Sequence, residues 1–85
     1  MQPIILKKEE IIKLLDFNEI INVIEESFVD FVDGKTIMPR PQDIILEEFN
    51  GETHVKSAYV KGKKFYSIKI ASGFYNNPKT NLSSS

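Results

Sequence analysis

Hydrophobic and polar positions along the chain change period once, near Gly34, and that change divides it into a helical front and a strand-rich remainder. Pro3-Ile4-Ile5-Leu6 is a short apolar run and predicts a first strand. From Lys8 to Leu15 the apolar positions Ile11, Ile12, Leu14 and Leu15 fit a short amphipathic helix. A second helix is predicted from Asp16. Its N-cap would be Asp16, with Glu19 three residues on as the reciprocal partner. Phe17, Ile20, Ile21, Ile24, Phe28, Phe31 and Val32 then line one broad face at helical spacing. Glu19, Glu25, Glu26 and Asp30 fall mainly off it, and Gly34 is the natural stop.

Beyond Gly34 the alternation is that of strands. Thr36-Ile37-Met38 is short and extended, and Pro39-Arg40-Pro41 holds Arg40 extended, because a residue before proline is pushed out of the α region. Asp43 to Glu48 reads as a strand, Asn50-Gly51 as a hairpin turn, and Thr53 to Val60 as the return. Gly62 turns the chain into a last strand, Lys64 to Ala71. From Ser72 the chain reads as irregular. The predicted class is α+β: two N-terminal helices packed on an antiparallel β-meander, as a fragment of a larger two-domain α/β protein.

The last strand holds the most informative residue. Tyr66, Ile68 and Ile70 form one face; Lys69 lies on the other with Phe65, Ser67 and Ala71. A strand this apolar is expected to be covered on both sides, where a lysine is costly without a partner. The partner would be a carboxylate of the protein or of a ligand. Lys56, in the preceding strand on the face of Ala58 and Val60, could complete an anion site with it. Arg40 is the only arginine, and its guanidinium fork suits a carboxylate or phosphate. Against these readings stand solvated lysines on a sheet edge and a surface arginine in a Pro-rich loop.

Charge sharpens the picture. The chain has 85 residues and a net charge of −1, but all 12 acidic residues precede Thr53, and six lysines with no acid follow. The second part either attracts anions or is compensated by the first. With no cysteine there is no disulfide framework or thiolate metal site. His54 is the only histidine; Glu47, Glu48 and Glu52 lie nearby without a ligand spacing, so no metal is assigned. Lys61, Lys63 and Lys64 beside Tyr59, Phe65 and Tyr66 resemble a stacking surface for single-stranded nucleic acid, but a pI near 5.8 argues against it. Gly34, Gly51, Gly62 and Gly73 are too far apart for a phosphate-binding loop. The apolar runs are too short to span a bilayer and no signal peptide is visible, so a cytoplasmic protein is expected.

Taken in order, these pieces resemble the N-terminal segment of the ornithine cyclodeaminase/mu-crystallin family. Ile4-Ile5-Leu6 and the first helix are similar to its opening strand and helix, and Asp16 to Gly34 to its first long helix. Met38-Pro39-Arg40 resembles its Pro/Arg stretch, and Ser57-Ala58-Tyr59 its Met-Pro-Ala-Tyr strand. Ile68-Lys69 followed by Ser72-Gly73-Phe74-Tyr75-Asn76-Asn77 resembles its Val-Lys strand, Ser-Phe-Pro pair and Asn. Lys7 replaces a Ser/Thr cap, Tyr75 stands where proline is common, and Lys56 falls where methionine is typical.

The resemblance implies that residues 1–85 are the front of a substrate-binding and dimerisation domain, with a Rossmann domain absent from this chain. It implies a parent enzyme that turns over an amino acid, imino acid or keto acid by hydride transfer with NAD(H) or NADP(H), a cofactor this segment would not bind alone. Arg40 and Lys69, and less securely Lys56, would hold the substrate carboxylate, with Lys69 also the candidate catalytic residue. Implied partners are a small amino-acid-like substrate and a second copy in a homodimer; neither a membrane nor nucleic acid is expected. The rival expectation is a stand-alone binding or dimerisation module whose lysine-rich sheet takes an anionic partner.

Overall fold

A computed structural model describes residues 2–80 and 82–84. The class is α+β: two helices followed by an antiparallel four-stranded sheet. The chain divides after Gly34 into two compact units.

In the first unit, α1 is Lys8–Leu14 and α2 is Phe17–Val32. Asp16 is extended, and its Oδ1 accepts from the backbone N–H of Asn18 (2.9 Å) and Glu19 (3.3 Å). Two of the helix's unpaired donors are thereby satisfied, which is why α2 starts there. It ends where Gly34 takes a φ of +72° and donates to the Phe31 carbonyl; only glycine adopts that left-handed geometry without cost. The apolar stripe of α2 is open to solvent, Phe17 being 74% and Phe28 68% exposed. Pro3 to Leu6 forms no strand, contrary to the sequence expectation. An apolar run becomes a strand only when another strand supplies its hydrogen bonds, and among the described residues none pairs with it.

The second unit is the sheet. Its strands are β1 (Thr36–Ile37), β2 (Gln42–Leu46), β3 (Gly51–Val60) and β4 (Tyr66–Phe74). β3 is central, with β4 along one side and both β1 and β2 along the other. β1 and β2 are therefore two pieces of one edge strand, interrupted at Met38 to Pro41. Pro39 and Pro41 have no N–H to give a ladder, so the break falls where the sequence cannot pair.

Three expected boundaries shift. The strand expected over Asp43 to Glu48 stops at Leu46, and Glu47–Phe49 forms a 3-10 turn that ends in Asn50 at φ 47° and ψ 48°. The return strand starts at Gly51 rather than Thr53. The last strand starts at Tyr66 and continues through Ser72 and Gly73 to Phe74, because β3 offers it a partner at every position from Tyr59 back to Gly51. The apolar face of the sheet carries Ile44, Leu46, Val55, Tyr66, Ile68 and Ile70, by register with Gly51 and Phe74. Gly51 is the only buried residue among those described.

Candidate functional site

The other face of the sheet is polar. Register places Lys56 directly opposite Lys69 across β3 and β4. Two like charges at directly paired positions destabilise a sheet. Both are exposed, which corrects the expectation that Lys69 lies in a strand covered on both sides.

Arg40 joins them through the break in the edge strand. Ile37 pairs with Tyr59 on one side of the break and Gln42 with Val55 on the other, so four residues lie against three. Extending either register to the break brings it to Lys56: Arg40 opposes it from the β1 side and Pro41 from the β2 side. One more residue on the edge than on β3 is the count of a β-bulge. Ile37 and Pro39 line an apolar groove on the opposite face with Tyr59, Tyr66 and Ile68, which fixes the alternation. Lys56 and Lys69 thus stand side by side on the polar face, on neighbouring strands about 4.8 Å apart, and Arg40 lies in the unpaired break of the edge strand that runs past Lys56. Among the described residues no ion pair reaches any of the three.

The adjoining acids are engaged elsewhere. One step along β3 on the same face, about 6.8 Å away by strand geometry, His54 stands opposite Asp43 of β2 and Ala71 of β4. Its Nδ1 lies 2.6 Å from Asp43 Oδ1 and its Nε2 3.4 Å from Glu52 Oε1. The Tyr75 hydroxyl donates to the same Glu52 oxygen. Gly73, opposite Glu52, makes this reach possible: a Cβ there would sit 3.1 Å from the Tyr75 hydroxyl. Sequence reasoning weighed His54 only as a metal ligand and missed this network. A two-residue turn at Asn50-Gly51 would have set Asp43 against Ala58; it is the longer loop of Glu47–Phe49 and Asn50 that brings Asp43 opposite His54. No group of three or more His, Cys, Asp or Glu side chains suited to a metal occurs among the described residues.

The network sets the protonation of its members. Hydrogen bonding to Asp43 first, and to Glu52 second, raises the His54 pKa above its ordinary value. The Tyr75 and then the His54 hydrogen bonds lower that of Glu52, and Glu52 raises that of Tyr75. A raised histidine pKa contributes stability that is complete below about pH 6.5. That contribution is lost as pH rises through the elevated folded value. The expected result is an NMR titration midpoint for His54 above 6.5, with a melting temperature that falls as pH rises through it. Asp43→Asn should lower the midpoint and flatten the fall; an unchanged midpoint in that variant would remove Asp43 as the cause.

The dinucleotide cofactor implied by the resemblance does not fit these residues. The described strands are all antiparallel, with no βαβ crossover, and Gly34 and Gly62 serve isolated turns at positive φ. Nor is any described helix long and apolar enough to cross a membrane.

No family model matches the chain, and neither does any solved structure. A protein of Rhizobium meliloti (strain 1021), named a putative dehydrogenase, is 36% identical over 66 residues. The match covers 78% of this chain and 20% of that protein, so the chain spans about a fifth of the curated relative's length.

Proposed function

We propose that this chain forms the substrate-binding part of an NAD(P)-dependent oxidoreductase of the ornithine cyclodeaminase/mu-crystallin type, which acts on an amino, imino or keto acid. The cofactor belongs to a Rossmann domain of the parent enzyme. Arg40 and Lys69, with Lys56 between them, hold the substrate carboxylate, and Lys69 is the candidate catalytic residue. The observation that carries this reading is the exposed, directly opposed Lys56–Lys69 pair, which no ion pair reaches among the described residues, with Arg40 in the proline-flanked break beside it. Charge-assisted bonds to a carboxylate are the chemistry such cations offer. The relative named as a dehydrogenase supports the reaction class.

Titrating the isotopically labelled protein with pyruvate tests it. Saturable amide shifts should appear at Arg40, Lys56 and Lys69. Shifts that are absent, or scattered over the Lys61 to Lys64 turn, would defeat the reading. The second reading, a module for a polyanionic partner, rests on the same three cations. It predicts a steep loss of affinity for a polyanion with salt and no saturable response to pyruvate.

The reading also carries a homodimer. The α2 stripe and the apolar sheet face leave Phe17, Phe28, Val32, Tyr66 and Ile70 each more than two-thirds exposed, a surface larger than a soluble monomer ordinarily presents. Sedimentation should return twice the chain mass. A monomer at about 100 μM, weaker than the roughly −5.5 kcal/mol that half-dimerisation there requires, would count against it.

A further inference from the structure

We propose that the substrate bound by these three cations carries two anionic groups, and that Lys56 is the residue that selects it. The inference rests on the carboxylate site proposed above and goes beyond it in substrate class.

Three cations exceed what one carboxylate needs. A single carboxylate has two oxygens; the Arg40 fork and the Lys69 ammonium can fill them. Lys56 would then remain an unmatched charge, directly opposite Lys69. Such a pairing costs stability in the unliganded sheet. Among the described residues no ion pair offsets it: Asp43 and Glu52, the acids on this face of the sheet, are engaged by His54 and Tyr75. A second anionic group on the ligand supplies what the protein does not.

The geometry suits such a ligand. Lys56 and Lys69 are about 4.8 Å apart across paired strands, and Arg40 lies in the chain segment next to Lys56 on its other side. One carboxylate can lie between Arg40 and Lys56 while another lies between Lys56 and Lys69. Two carboxylates joined through two or three carbons have a comparable separation. The middle cation serves both ends, so it distinguishes a dianion from a monoanion most sharply. A dicarboxylic amino, imino or keto acid is the class this describes.

The test compares 2-oxoglutarate with pyruvate at constant ionic strength, by calorimetry and amide shifts, on the protein and on Lys56→Met. The protein should bind 2-oxoglutarate roughly tenfold more tightly, as one added charge-assisted contact implies. Lys56→Met should bring the two affinities to within about twofold, by weakening 2-oxoglutarate several times more than it weakens pyruvate. Lys64→Met, with the same change in net charge but in the β3–β4 turn, should keep the tenfold preference. Lys56→Gln serves as the second variant should methionine promote association. A preference that survives both Lys56 substitutions, or is missing from the unmodified protein while pyruvate still binds, would overturn this inference alone. If neither keto acid binds, the carboxylate site falls with it.

Discussion

Lys69→Ala is expected to weaken pyruvate binding by about 10- to 30-fold, which corresponds to losing ~1.4–2 kcal/mol of charge-assisted bonding. The figure is below that of a buried ion pair because Lys69 is exposed and water screens it. The direct opposition of Lys69 and Lys56 adds a second signature. Removing either lysine relieves repulsion in the unliganded sheet. The variant that binds worse should therefore be no less stable, its melting temperature equal to or slightly above that of the unmodified protein. Loss of binding through misfolding would lower both. Lys64→Ala makes the same change in net charge in the turn and should leave affinity within about twofold. If Lys64→Ala weakens pyruvate as much as Lys69→Ala, the cations act only as diffuse charge and the site assigned to them does not exist.

Gly51→Ala should be the most damaging single methyl in the sheet. A Cβ at Gly51 would fall 2.5 Å and 2.7 Å from two ring carbons of Phe74 and 3.2 Å from the Gly73 carbonyl oxygen. Phe74 is the residue paired with Gly51 across β3 and β4, so its ring lies over the glycine. The ring cannot keep that position, and overpacking of this kind costs about 1–3 kcal/mol. For a domain of this size that is a drop of roughly 5–15 °C in melting temperature. Gly73→Ala is the comparison. Its Cβ would meet only the outer end of the Tyr75 ring, at 3.1–3.4 Å, which a small rotation relieves. That variant should melt within a few degrees of the unmodified protein while weakening the Tyr75–Glu52 bond. A Gly51→Ala protein that melts within 1 °C of the unmodified one would show that Phe74 swings aside freely.

Legibility from the sequence followed how local each signal was. Helix α2 could be read whole because its stripe, its Asp16 cap and its Gly34 stop all lie within the element. Strand β4 was read only as far as Ala71, since Ser72-Gly73 looks like a turn in isolation; its continuation is set by β3, a non-local partner. Pro3 to Leu6 failed for the converse reason, an apolar run with no partner. In the polar face, Arg40, Lys56 and Lys69 were singled out as candidates by residue type alone. The direct opposition of Lys56 and Lys69 was not legible, because it depends on register, and a shift of one residue would put Lys56 on the apolar face. The Asp43–His54–Glu52 contacts were missed through the same dependence on register.

The prolines that place Arg40 also limit how the sheet can grow. Pro39 and Pro41 interrupt one border, leaving pairing pieces of two and five residues. The other border, along β4, is nine residues long and pairs with no further strand among those described. A sheet of this kind has one usable valence. Joined to another copy along β4, each sheet would consume the only border on which a third could be added, so such strand-to-strand association closes at two rather than running on into a filament.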